Sequence, residues 1–257
     1  MGILKGKIIL VTGVLNDQSL AFSAAKEIQA QGGQVILTGF GRGMSITSRV
    51  AKKLTNPAAV FELDVTIDSH FTKLRDDLES QFGHLDGVLH SIGFAPAACL
   101  DPDMFAAKWE DVATAVQVSA YSLAPLINAM LPLLKKGTNP SVLGLDFDAR
   151  FAWPGYNWMG IAKAALESLN RYMAREAGKD GVRVNLISAG PLRTIAAKSI
   201  GGFANFETIW AERAPMGWDV TNPEPLAKSI AALLSDFFPA TTGEIIHVDG
   251  GFHAVGA

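Results

Sequence analysis

The chain has 257 residues, about half of them hydrophobic and 18% charged, with a net charge of −3 and a pI near 5.9. That length suits one large domain or two small ones around a substantial core, and the charge gives no broad basic field, which excludes nucleic acid as an expected partner. A single cysteine, Cys99, excludes an intramolecular disulfide and a cysteine-rich metal site.

The opening segment MGILKGKIILVTG has no separate signal-type apolar run with a cleavage site, and no run of about twenty apolar residues is evident. The expectation is a soluble cytoplasmic protein without a membrane partner. KIILVT, Lys7 to Thr12, reads as a buried strand. A helix from Ser19 to Gln31 follows and is ended by Gly32 and Gly33. QVILTG and AVFELDV give the second and third strands, and DSHFTKLRDDLESQFG a helix capped by Asp68 and stopped by Gly83. LDGVLHSIG is the fourth strand, and a long helix is expected from about Trp109 to Lys135. SVLGLDF is the fifth strand, followed by a helix opening at Tyr156. VRVNLISAG and GEIIHVDGG complete the set, with a helix from Pro223 to Ser235 between them.

These seven strands are apolar throughout rather than alternating, as strands covered on both faces are. No linker or short repeat interrupts them. The fold expected is α/β: a single Rossmann-like doubly wound domain over 1–257, with a seven-stranded parallel sheet flanked by helices.

Ligands in such sheets bind at the carboxyl ends of the strands. The first strand ends in TGVLNDQSLA, where Gly13 supplies a tight turn but the later glycines of the usual dinucleotide fingerprint are absent. Ser19 can cap the helix and donate to a phosphate oxygen beside the N–H of Leu20, or the turn is an ordinary capped βα turn. At the second strand end Phe40 can stack on adenine. Arg42 can meet a 2′-phosphate or simply be a solvated charge. Asp64, at the third, can accept from an adenine amino group or serve its own loop. Ser91, Ile92 and Gly93 stand at the fourth. His84, His90, His247 and His253 have no metal-ligand spacing, so no metal is expected.

Five stretches, TGVLNDQSLA, LDV, LDGVLHSIGF, GLDFDARFAWPGYNWMGIAKAALES and VRVNLISAGPLRT, resemble the short-chain dehydrogenase/reductase superfamily, and within it the enoyl-acyl-carrier-protein reductases of type II fatty-acid synthesis. The terminal GEIIHVDGG agrees, so the resemblance covers nearly the whole chain. Its most specific element is a Tyr with a Lys seven positions on, where ketone reductases use four. The wording YNWM and the Phe in LDFD are similar to the NADH-dependent long-chain branch. The resemblance implies Phe147, Tyr156 and Lys163 as the catalytic set. It implies Gly13, Ser19, Leu20, Phe40, Asp64, Val65, Ser91, Ile92, Gly93, Lys163, Gly190, Leu192 and Thr194 at the cofactor. It further implies NADH rather than NADPH, an enoyl substrate carried by acyl-carrier protein, and a homotetramer. Gly41 departs from the branch, which often has an acid there.

Seven positions turn a helix through about 700°, within about 20° of two full turns, so Tyr156 and Lys163 share a face about 10.5 Å apart along the axis. A helical Lys leans toward the N-terminus and can reach back toward Tyr156, which follows Pro154–Gly155 and is free to swing into a cleft. Hydride addition to the β-carbon of an enoyl thioester develops charge on the thioester oxygen, where Tyr156 can donate. No hydroxyl occupies VLGLDF, where ketone reductases place a catalytic Ser; Ser141 is too early and begins the strand. A 3-oxoacyl or alcohol dehydrogenase is the alternative enzyme, and an inactive NAD(P)-sensing protein the alternative outside catalysis. The segment from Ile195 to Trp218 is expected to form a small substrate-binding lid, with Gly201–Gly202 as hinge. Its apolar face comprises Ala197, Ile200, Phe203, Phe206, Ile209 and Trp210. It is about ten residues shorter than the resemblance implies for very-long-chain members, which suggests short to medium acyl chains.

Overall fold

A computed structural model describes residues 2–195, 197 and 203–256. Its seven strands are β1 (Ile8–Val11), β2 (Gln34–Gly39), β3 (Ala59–Glu62), β4 (Gly87–His90), β5 (Ser141–Asp146), β6 (Arg183–Ala189) and β7 (Ile245–Val248). They form one parallel sheet in the order β3-β2-β1-β4-β5-β6-β7. The uninterrupted apolar strands have the cause inferred from sequence. In β1, Ile9 and Val11 enter the core on one face of the sheet, while Ile8 and Leu10 enter the core on the other.

Helices cover both faces. The first face carries α1 (Leu20–Ala30), α2 (Gly43–Ala51) and α8 (Glu224–Leu234), through residues such as Phe22, Val50 and Ile230. The second carries α3 (Asp68–Phe82), α5 (Leu123–Leu134) and α6 (Asn157–Ala177), through Leu74, Leu126 and Leu166. Strand order reverses between β1 and β4, so a crevice opens at their carboxyl ends, where ligands bind in open sheets of this kind.

Three local readings change. The helix α2 is absent from the sequence reading: glycines at 41 and 43 and β-branched Ile46, Thr47 and Val50 give it poor propensity, and its N-cap Arg42 makes no side-chain cap bond. Tertiary contacts hold it instead, with buried Thr47 donating its hydroxyl to the Val14 carbonyl at 2.7 Å. Asp68 does not cap α3. Ile67 occupies that position, and Asp68 is an acid in the first turn, favourable to the helix dipole. Gly83 does end the helix, in the left-handed region at φ +78°.

The long helix expected from Trp109 is α4 (Trp109–Val116) joined to α5 by a π-helical turn, Gln117–Tyr121. The run Trp109–Leu134 is, against the sequence reading, long and apolar enough to cross a membrane by length and composition, with a mean hydropathy of 1.2. Here its apolar residues Leu123, Leu126, Met130 and Leu133 are fully buried against the sheet. A core helix passes the same test.

The ends of β1 and β4 are joined by Thr12. Its N–H and its hydroxyl both donate to the Leu89 carbonyl, at 3.0 and 3.1 Å, and its hydroxyl accepts from the Ser91 N–H at 3.1 Å. Thr12 is fully buried. Thr12→Val keeps the shape and strips the Ser91 N–H of its partner. It should lower the unfolding free energy by about 1–3 kcal/mol, read from urea denaturation.

Candidate active site

A cavity of about 530 Å³ lies over the switch point. Four strand ends build its wall. Gly13, Ser19 and Leu20 follow β1, and Ser91, Ile92 and Gly93 follow β4. Phe147, Tyr156 and Lys163 come from the segment after β5 and from α6, and Gly190, Leu192 and Thr194 follow β6. Phe40, Asp64 and Val65 stand outside this lining, at the ends of β2 and β3. Phe40 is half exposed. One Asp64 oxygen accepts from both the Thr66 N–H and the Thr66 hydroxyl, at 2.9 and 2.7 Å, and so closes its own turn.

Gly13 is dictated by the weld beneath it. Its φ is +80°, and a Cβ there would come within 1.9 Å of the Ser91 carbonyl oxygen. Ser19 is the N-cap residue of α1, but its side chain makes no cap bond. The hydroxyl instead donates to the Asn16 carbonyl at 2.7 Å and folds the preceding loop.

Tyr156 is the N-cap residue of α6, between Gly155 at φ +73° and Asn157 at φ +36°. Asn tolerates this region better than most residues. The Asn157 amide donates to the Asp101 carbonyl and the Trp158 indole to the Met104 carbonyl, so the helix start is tied to the loop after β4. Tyr156 is therefore not free to swing. It is 7% exposed, and its ring packs edge-on against Phe147 with centroids 5.2 Å apart. Phe147 is itself held by Trp153, Phe206 and Trp210, with centroids at 5.6, 5.8 and 5.9 Å.

Burial and neighbouring charge set the wall's chemistry. Burial pushes the Tyr156 phenol well above its ordinary pKa, and the charge of Asp146 pushes it the same way. The phenol is a neutral O–H donor at physiological pH, and among the described residues it has no hydrogen-bond partner. Lys163 donates from Nζ to the Leu145 carbonyl at 2.8 Å. Burial lowers its pKa, and Asp146 opposes that shift. The amine keeps two further donors. His90, fully buried at the end of β4, is held to a pKa of about 3 by burial and by the Lys163 charge. Ser122 donates to the Val118 carbonyl at 2.7 Å, so neutral His90 donates from Nε2 to the Ser122 oxygen at 2.8 Å.

Beyond Asn16 and Asp146, the remaining wall is apolar, with residues such as Leu100, Met159, Ile195, Ala197, Phe203 and Phe206. Helix α7 (Phe203–Arg213) buries Phe206 and Trp210 against Phe252, and packs Phe203 and Ile209 beside them. The expected lid helix thus seals an aromatic core and closes one side of the cavity. Its proposed hinge, Gly201–Gly202, and Ile200 lie outside the described residues. Sequence reasoning missed Leu100 and Met159, and also Asp146, whose signal was its place beside Phe147 in LDFD.

The chain matches the model of the enoyl-(acyl carrier protein) reductase family over residues 13–253. It is 46% identical to the NADH enoyl-[acyl-carrier-protein] reductase of Mycolicibacterium smegmatis, over 97% of each chain. It is 38% identical to the NADH enzyme of Aquifex aeolicus, over 100% of this chain and 94% of that one. Identity to the NADPH enzyme of Staphylococcus aureus is 35%, over 98% of each.

Phe147→Ala should remove the ring that Tyr156, Trp153, Phe206 and Trp210 share. Stability should fall by about 2–4 kcal/mol, since the ring is only partly buried, and tryptophan emission should shift with two indoles losing a neighbour. Unchanged emission and stability would contradict this packing.

Proposed function

The chain belongs to the enoyl-(acyl carrier protein) reductase family, and on that premise we propose that this cavity reduces the 2,3 double bond of a trans-2-enoyl thioester with NADH, a step of fatty-acid biosynthesis. The observation that carries the reading is the meeting of Tyr156 and Lys163, seven apart, in one wall with the ends of β1 and β4. A dinucleotide suits these residues. The cavity lies at the switch point, Leu20 opens α1 with its N–H among the unpaired donors of a helix start, and the buried Asp146 carboxyl has no hydrogen-bond partner of good geometry among the described residues.

Bound there, the cofactor supplies hydride to the β-carbon of the substrate. The protein's part is to stabilise the charge that develops on the thioester oxygen. Tyr156 donates its O–H to that oxygen; its raised pKa keeps the proton in place, and Phe147 fixes the ring. Lys163 turns its remaining donors to ribose hydroxyls. Gly13, Ser19, Leu20, Ser91, Ile92, Gly93, Gly190, Leu192 and Thr194 line the cofactor. Phe40, Asp64 and Val65 meet its adenosine end beyond the cavity. Leu100, Met159, Phe203 and Phe206 receive the acyl chain, with 195–218 as a lid on a single reductase domain.

The acyl group arrives on acyl-carrier protein. The enzyme works in the cytoplasm as a homotetramer, without nucleic-acid or membrane partners. Exposed Tyr121, Ile161 and Tyr172 on the helices beyond β4 supply apolar surface for subunit contact.

A turnover assay with crotonyl thioester and NADH tests the activity. Tyr156→Phe should lower kcat by about 10²–10³ while NADH binding stays near that of the parent; unchanged turnover would remove Tyr156 from the reaction. Lys163→Ala should abolish NADH binding, and normal binding by that variant would refute the ribose contact.

NADH should exceed NADPH in kcat/KM. Arg42, exposed two positions after Phe40, is the charge whose contact with a 2′-phosphate would reverse that order. A preference for NADPH that Arg42→Ala inverts would make it the reader of a 2′-phosphate. Across enoyl chains of about four to sixteen carbons, kcat/KM should rise by about 0.8 kcal/mol per buried methylene and flatten beyond the cavity. A steady rise through the longest chains would reject the short lid.

A further inference from the structure

Asp146 ends β5 in the cavity wall and is 6% exposed; among the described residues neither carboxylate oxygen has a hydrogen-bond partner of good geometry, although the backbone N–H of adjacent Phe147 bears on the carboxylate. The acids near it are differently placed. Glu167, from α6, accepts from the Ala149 N–H at 3.0 Å, and Asp148 accepts from the Arg150 N–H at 3.0 Å. Lys163 already gives one donor to the Leu145 carbonyl. A buried carboxylate without donors is costly, and such a group in a native fold calls for an explanation. Its place in the wall, with the Tyr156 phenol and the Lys163 ammonium, supplies one: the missing donors arrive with the ligand.

We propose that Asp146 is a further cofactor-binding residue, its carboxylate accepting a hydrogen bond from the nicotinamide-riboside half of NADH, through a ribose hydroxyl or the carboxamide N–H, while Lys163 donates to the same half. The inference rests on the reading of this cavity as an NADH site. It assigns the acid and the ammonium of the wall complementary tasks, since a hydroxyl can donate to one and accept from the other.

The pair has a pH signature. Burial, with the charges of Glu167 and Asp148, pushes Asp146 up to about 7 in the free protein, and Lys163 and the Phe147 N–H oppose them. Tyr156 and His90 complete the titratable surroundings, and both stay neutral at physiological pH. A ligand that donates to the carboxylate favours its ionised form. NADH affinity should therefore be full above pH 7 and fall as pH drops through about 7. Stability of the free protein runs the other way. The raised folded pKa contributes stability at low pH that is lost as pH rises toward 7.

The test is NADH titration of the full chain, followed by nucleotide fluorescence between about pH 6 and 8.5, on the parent, Asp146→Asn and Asp146→Ala. Both variants should bind about ten- to a hundredfold more weakly at pH 8, and the affinity step near pH 7 should vanish. Thermal melting of ligand-free Asp146→Asn at pH 8 should equal or exceed that of the parent, which a merely structural role would not produce. Reduced 3-acetylpyridine adenine dinucleotide, which lacks the carboxamide N–H, identifies the donor. The variants' penalty disappears with it if the amide donates, and persists if a ribose hydroxyl does. Parent-like NADH affinity in both variants overturns the proposal, as does an affinity loss matched by lower melting of both. Failure of the parent itself to bind NADH would instead sink the cavity assignment, and this inference with it.

Discussion

The close approach of the β1 and β4 ends is the constraint on which the site depends. At the reversal of strand order, Thr12 bonds to Leu89 and Ser91, and Gly13 passes so near the Ser91 carbonyl that no side chain fits. The chains leaving β1 and β4 diverge from that point, one into α1 and the other over the cavity. The space between them is where a sheet of this topology binds ligands. A looser junction would move Ser19 and Leu20 relative to Ser91–Gly93, and the two halves of the wall would no longer face one cavity.

The second constraint is electrostatic. Tyr156, Lys163, Asp146 and His90 are all nearly or fully buried, and desolvation drives each toward its neutral form. The outcome differs with each group's partner. His90 Nε2 pairs with Ser122 in the core while its Nδ1 has no partner among the described residues, and Lys163 finds a backbone carbonyl. Asp146 has no side-chain partner of good geometry among the described residues, and the Tyr156 phenol and the two remaining Lys163 donors stand in the same wall, so its free polar chemistry combines donors with one acid. That combination suits a ligand carrying both an oxygen that gains charge and groups that donate.

Rigidity comes from the aromatic layer behind these groups. Phe147 touches four other rings, and Trp210 stacks on Phe252 with centroids 3.8 Å apart. Residues from β5's exit, from α7 and from the carboxyl-terminal segment therefore fix a phenol that lies at a helix start, where backbone bonds alone would leave it loose. The same layer fixes one side of the cavity, because Phe206 belongs to both.

By itself, the sequence determined the sheet, because double burial imposes continuous apolar strands and these are visible without coordinates. It also identified the wall residues that follow from strand ends and from the Tyr156–Lys163 spacing, since helical periodicity puts positions seven apart on one face. Local signals failed where long-range contacts decide. The α2 helix has weak propensity and no capping bond, and stands because Thr47 reaches Val14 and because Val50 and Ala51 find the core. Ser19 has the identity of a cap but gives its proton to Asn16. Tyr156 reads as a mobile ring at a helix start and is clamped by Phe147, a contact across nine positions that no periodicity encodes. Asp146 is not singled out by the sequence reading at all. Only the tertiary structure shows its carboxyl buried and without a hydrogen-bond partner of good geometry among the described residues, because hydrogen-bond satisfaction depends on every neighbour at once rather than on the order of residues along the chain.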